Sequence, residues 1–273
     1  MTDPAPCEFP DDPGVDPPRN LREVGVDRAV AGPPDRPVAV PAAVAALTDG
    51  APAEAVWANQ VGGVTFRLGE RFVKGQPAGS VIDLADEAAR LAWAAAFTPV
   101  PRVLTLGSDD EGAWLVTAAL PGRSAVDSRW LADRAPAVRA IGEGLRALRD
   151  ALPVPACPFD WGVAARLARA DERGSGSSGA RAQPGEPPDV DRLVVCHGDA
   201  CAPNTLLDDD GRWSGHVDLG ALGVADRWAD LAVATWSTEW IYGPGFQDAL
   251  LEAYGVEADG ERTGYYRRLW DAT

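Results

Sequence analysis

The chain has 273 residues, 46% of them hydrophobic, with 25 basic and 41 acidic side chains for a net charge of −16. That length and apolar content suit one two-lobed globular enzyme or two small domains. The acidity excludes a nucleic-acid binder, which needs Lys/Arg clusters for the phosphates, and favours a cationic partner through long-range attraction. No apolar run reaches the length of a membrane helix, and the opening MTDPAPCEFPDDPG has neither a basic start nor an apolar core, so the expectation is a cytoplasmic protein. The four cysteines show no paired CxxC spacing and read as reduced thiols.

Residues 1–40, rich in Pro, Asp and Gly without periodicity, read as a loosely attached extension that carries no chemistry. A short helix is expected at 41–47. Residues 55–59, 64–68 and 71–74 are runs of Val, Phe and Trp separated by Gly62-Gly63 and Gly69-Glu70, the pattern of a small antiparallel sheet with tight turns. Lys74, the only lysine, ends the third run. Residues 83–97 form an Ala-rich helix, acidic at its start, with Glu87 on the face that carries Leu84 and Leu91. Residues 99–106 and 113–118 read as two further strands around a turn at 109–112, and Pro121-Gly122 ends this first lobe, 41–119.

The second lobe, 120–273, begins with a helix at 135–152 whose stripe Val138, Ile141, Leu145 and Leu148 marks a core face. Another helix starts after Asp160, a plausible cap, and residues 174–188 read as a flexible linker. An apolar run at 193–196 then delivers His197, Gly198 and Asp199 to a loop. Leu206 and Leu207, a turn at 208–211 and a third strand ending at Asp218 form a hairpin that returns Asp218 to the level of Asn204. Helices are expected at 226–236, 246–254 and 263–270.

Asp199, Asn204 and Asp218 are thus three oxygen-bearing side chains converging on one volume. Phosphoryl transfer uses such a set: one carboxylate handles the proton of the attacking hydroxyl, while an amide and a second carboxylate hold the metal that neutralises the triphosphate. The order Asp, four residues, Asn, then a hairpin and another Asp is that of a kinase catalytic loop and metal loop.

The run VVCHGDACAPNTLL, followed by GHVDLGALGVADRWADLA, resembles the aminoglycoside phosphotransferases, most of all their 3′-phosphotransferase branch, where HGD, a downstream Asn, a VD-x-G turn and GVADR occur in this order. The resemblance implies an α+β, two-lobed, protein-kinase-like fold with a small antiparallel-sheet N-lobe and a mainly helical C-lobe. It implies transfer of the γ-phosphate of ATP, with Mg2+, to a hydroxyl of a small cationic molecule such as an aminoglycoside. Asp199 would be the catalytic carboxylate and Asn204 and Asp218 the metal ligands. Lys74, paired with Glu87, would contact the nucleotide phosphates beneath the loop of Gln60, Val61, Gly62, Gly63 and Thr65. The backbone at Thr117 and Ala119 would meet the adenine edge, and His197 and Asp230 would support the catalytic loop.

The acceptor half departs from the family. Family members usually end in LLDEFF, whereas this chain ends RRLWDAT, keeping Asp271 but with Ala272 in place of the Glu; Ala221 stands where an Arg is common. Asp271 and Glu239 remain candidate partners for the acceptor's cations. Two alternatives stay open: a kinase acting on a choline-like, sugar or other metabolite hydroxyl, and a catalytically silent nucleotide-binding module. Neither oligomeric state nor nucleotide preference is legible here.

Overall fold

The computed structural model describes residues 31–273 except 49, 60 and 175–182. Expectations for residues 1–30, for Gln60 and for most of the 174–188 linker lie outside the described residues. In the first lobe β1 (Glu54–Ala58), β2 (Val64–Leu68), β3 (Arg71–Pro77), β4 (Val103–Ser108) and β5 (Gly112–Ala118) form one antiparallel sheet in the order β1-β2-β3-β5-β4.

The two-residue period of these strands sorts their side chains onto opposite faces. Phe66, Val73 and Val116 lie opposite one another across β2, β3 and β5, and pack with Val44 of α1 (Ala42–Ala46) into a small outer core. One residue further along, Lys74 faces Leu115, and Leu115 is buried against Leu84 and Leu91 of α2 (Leu84–Ala94). The alternation that buries Val73 on one side therefore delivers Lys74 to the side where α2 lies. Asp83 starts α2 by accepting from the Ala85 amide at 2.8 Å.

Two strand limits differ from the sequence reading. β3 continues to Pro77 because its pairing with β5 runs on to Gly112. β4 begins at Val103 rather than at 99, since Pro99 and Pro101 have no amide to give a ladder; the Pro99 carbonyl instead accepts from the His216 amide at 3.3 Å.

The second lobe is mainly helical: α3 (Ser128–Ala132), α4 (Arg134–Ala151), α5 (Val163–Gly174), α6 (Trp228–Tyr242), α7 (Gln247–Tyr254) and α8 (Gly260–Ala272). Val138, Ile141 and Leu145 of α4 pack with Leu231 of α6, Leu250 of α7 and Leu269 of α8 in its core. Two small sheets sit at its edge, β6 (Arg123–Ser124) with β8 (Thr205–Leu207) and β9 (Trp213–His216), and β7 (Leu193–Cys196) with β10 (Gly223–Asp226). β10 corrects the helix expected from residue 226. Its residues pair with all of β7, from Gly223 opposite Cys196 to Asp226 opposite Leu193, and the Asp226 carboxylate accepts from the Trp228 amide at 2.9 Å where the helix takes over. The result is an α+β, two-lobed molecule. Among the described residues no helix is long and apolar enough to cross a membrane.

Gly142 shows how closely α4 and α7 approach: a Cβ there would fall 2.4 Å from the Leu250 carbonyl oxygen and 2.7 Å from Ala253 Cβ. Helix propensity alone would make Gly142→Ala stabilising by about 1 kcal/mol, but overpacking of a tight contact costs about 1–3 kcal/mol. We expect the variant to lower the urea midpoint by up to a net ~2 kcal/mol equivalent; a raised midpoint would show that the helices part freely.

Candidate active site

β7 is buried along Val194 to Cys196 and feeds directly into the loop His197-Gly198-Asp199. The loop is held from below by α6. The buried Asp230 carboxylate accepts from the His197 amide at 2.6 Å and the Gly198 amide at 2.9 Å, and Ser237 Oγ accepts from the Ala202 amide at 2.9 Å. Burial raises the Asp230 carboxyl above its ordinary range, against the opposing pull of His197 and the two amides. Gly198 has φ +86°, and a Cβ on it would lie 2.1 Å from the Ala221 carbonyl oxygen, so no other residue fits.

His197 is fully buried and ties the loop to the strand end that carries Asp218. Its Nδ1 accepts from the Asp199 amide at 3.2 Å, which leaves Nε2 to donate to the Val217 carbonyl at 3.0 Å. The β8–β9 hairpin closes the arrangement, Thr205 lying opposite His216 and the Val217 amide donating to the Asn204 carbonyl at 3.0 Å.

Asp199, Asn204 and Asp218 all line one cavity. The Asn204 side-chain nitrogen donates to the Asp199 carbonyl at 2.9 Å and to Asp199 Oδ2 at 3.1 Å. The other carboxylate oxygen of Asp199, Oδ1, is buried with no hydrogen-bond partner. Burial first and the nearby Asp218 charge second raise the Asp199 carboxyl above the ordinary range. Asp218 is the one non-glycine residue with positive φ, 61°, among those described. Such a backbone is uncommon outside glycine and is held by its surroundings.

Lys74 comes to Asp218 from the opposite lobe. Its Nζ lies 2.8 Å from both Glu87 carboxylate oxygens and 2.8 Å from Asp218 Oδ1. Burial disfavours charge on Lys74, but the two carboxylates outweigh it and raise its pKa. Burial likewise works against the Asp218 carboxylate, and the Lys74 charge and hydrogen bond more than offset it, so that carboxyl is held below its ordinary value. Glu87 is pushed up by burial, with Lys74 opposing. The helix that carries Glu87 is fastened in turn by Arg90, whose Nε donates to the Leu222 carbonyl at 3.0 Å and whose guanidinium lies 4.7 Å from the Phe159 ring centroid.

The cavity has a volume of about 870 Å³. Gly63 and Thr65 line it from above, where Asn59 Oδ1 accepts from the Val61 amide at 3.1 Å and the Gly63 amide at 2.7 Å and so shapes the loop. Asp271 also reaches the cavity. Glu87, His197 and Asp230 stand behind the cavity rather than on its surface, and Thr117, Ala119 and Glu239 do not line it either. Thr117 is occupied in the ladder opposite Phe72, and the Ala119 amide donates to the Glu70 carbonyl at 2.9 Å. Glu239 is turned to α8 and α7, 3.6 Å from Arg267 Nη1 and accepting from Gln247 Nε2 at 2.9 Å.

Residues that the sequence reading did not single out line it too: Gln76, two positions beyond Lys74 on the same strand face, Cys201, Ser237, and the indoles Trp57, Trp236, Trp240 and Trp270. The four-residue spacing of Trp236 and Trp240 was a visible signal, but it reads equally well as packing.

Residues 44–268 match the model of the phosphotransferase enzyme family, APH. The aminoglycoside 3′-phosphotransferase of Streptomyces fradiae is 38% identical over 218 residues, covering 71% of this chain and 81% of that protein. The streptomycin 3″-kinase of Streptomyces griseus is 35% identical over 249 residues, covering 79% and 90%. Among solved structures, the aminoglycoside phosphotransferase APH(3″)-Id of Streptomyces rimosus in complex with ADP and streptomycin superposes with a TM-score of 0.67 at 27% identity, covering 85% of this chain and 99% of that one. The two-lobed fold agrees with these relatives, and this chain belongs to the aminoglycoside phosphotransferase (APH) family of phosphotransferase enzymes.

Proposed function

We propose that this chain transfers the γ-phosphate of ATP to a hydroxyl of an aminoglycoside. The observation that carries the reading is the meeting, in one cavity, of a buried and unpartnered Asp199 oxygen with Asn204, Asp218 and Lys74, whose ammonium Glu87 holds from behind. The relatives named as aminoglycoside kinases supply the acceptor class.

Asp199 Oδ1 is the group placed to accept the hydrogen of the acceptor hydroxyl, while Asn204 restrains Oδ2 so that the carboxylate keeps one orientation. Lys74, a cation held on three sides by carboxylate oxygens, presents positive charge where phosphate oxygens arrive. Asp230 and His197 act through the backbone, fixing where Asp199 points.

The donor set fits magnesium. The Asn204 nitrogen is committed to Asp199, leaving its amide oxygen for a hard cation, and the Asp218 side chain is 44% exposed, with one oxygen on Lys74. Bound between these residues, the ion would neutralise charge on the triphosphate and orient it.

Asp199→Asn keeps the shape of the loop and removes the proton acceptor. It is expected to lower kcat by about 10²–10⁴-fold while nucleotide binding, followed by calorimetry, stays close to wild type. Turnover near wild type would remove Asp199 from the mechanism. Lys74→Met removes charge-assisted bonds worth about 1.5–3 kcal/mol, so we expect KM for ATP to rise by roughly 10–100-fold with KM for the acceptor little altered. A change confined to the acceptor KM would contradict the assignment of Lys74 to the phosphates.

A further inference from the structure

The two-residue alternation of β3 that turns Lys74 into the cavity turns Gln76 the same way. β3 starts at Arg71, opposite Ala118, where the chain leaves the sheet for the second lobe, and Gln76 lies toward its other end. Lys74 pairs with Thr65 and Gly75 with Val64. Gln76 is therefore level with the turn at Gly63, about 7 Å along the strand from Lys74.

Gln76 is buried, 5% exposed, and its amide is held in one sense. Ser80 Oγ accepts from the Ile82 amide at 3.2 Å and donates to Gln76 Oε1 at 3.1 Å, which fixes the oxygen end. Nε2 is left as a buried donor with no partner. The amide lies against Gly63, where a Cβ would fall on both of its polar atoms.

A buried donor without an acceptor is disfavoured unless a ligand or solvent oxygen meets it. The surroundings point to the kind of oxygen. Loops that cradle phosphates offer backbone N–H groups, but here the Val61 and Gly63 amides both donate to Asn59 Oδ1, at 3.1 and 2.7 Å. Gln76 Nε2 stands beside that turn as a donor not yet used, on the strand face that carries the Lys74 ammonium. In a kinase-like site the lysine of this strand meets the α- and β-phosphates. A donor one side-chain step further from the lobe crossing faces the phosphate that comes next, the γ.

We propose that Gln76 is a neutral donor to the terminal phosphate of the nucleotide and so distinguishes a triphosphate from a diphosphate. Nε2 gives its hydrogens to γ-phosphate oxygens, and Ser80 is the positioning residue that keeps the amide turned that way. The inference rests on the ATP reading above and adds to it a residue that senses the group being transferred.

The test uses the full chain with magnesium and no acceptor. Binding of AMP-PNP, a non-hydrolysable triphosphate, and of ADP is measured by calorimetry. Gln76→Met keeps the length of the side chain and removes the donor. It is expected to weaken AMP-PNP about tenfold, the loss of a hydrogen bond to a charged group, and ADP less than about twofold. Gln76→Glu, which sets a carboxylate against the phosphate, should weaken AMP-PNP further, and Ser80→Ala should give a smaller loss in the same direction. Thermal unfolding without nucleotide identifies any variant that fails to fold, in which case Ser80→Ala is read in its place.

Equal loss for AMP-PNP and ADP, or no loss for either, would overturn the proposal and leave Gln76 as packing beneath the turn. Binding of neither nucleotide by the wild-type chain would remove the ATP reading and this proposal together. Selective loss of AMP-PNP in a protein that phosphorylates no aminoglycoside would uphold Gln76 and sink only the acceptor.

Discussion

The structure depends on one shared cation. Lys74 is contributed by the sheet of the first lobe, Glu87 by the helix packed beneath that sheet, and Asp218 by the strand end of the second lobe, each carboxylate reaching the ammonium at 2.8 Å. Lys74 and Glu87 are largely buried, so removing either strands the other's charge, whereas the Asp218 carboxylate, 44% exposed, keeps part of its hydration. Replacing a whole buried pair with apolar groups is often neutral or stabilising, so stability alone does not account for it. Its consequence is positional, because it brings a cation of the first lobe and a carboxylate of the second to within a hydrogen bond of one another.

Around that contact the chain is braced by groups that do no chemistry. Arg90 anchors α2 to the loop after Asp218 through the Leu222 carbonyl. Asp230 spends both carboxylate oxygens on two successive amides, and His197 spends both ring nitrogens on the backbone on either side of the site. Buried polar groups are costly unless satisfied, and here satisfaction and positioning are the same bonds. Asp199 Oδ1 is buried and unmatched, as is Gln76 Nε2 in the same cavity.

The charged side and the indole side of the cavity follow different physical strategies. The first is built from charges locked in fixed geometry. The second offers broad apolar faces and little compensating charge, despite a net charge of −16 on the whole chain.

The amino-acid sequence by itself determined which polar residues meet in the candidate site, because that grouping is local. HGD, Asn204 and the VDLG turn lie within one short stretch whose hairpin brings them together, and Lys74 and Glu87 are thirteen residues apart on a strand and the next helix. The small sheet and the main helices were legible for the same reason, from two- and 3.6-residue periods. Tertiary structure decided what periodicity does not encode. β10 was hidden because residues 223–226 gain strand character only by pairing with β7, a partner some thirty residues away. Thr117 and Ala119 turned out to be bound into the sheet, and Glu239 to face Arg267 rather than the cavity, because helix rotation and strand pairing depend on neighbours distant in sequence. The indole wall was decided in the same way: Trp57, Trp236, Trp240 and Trp270 come from three separate elements, and only their packing makes one surface of them.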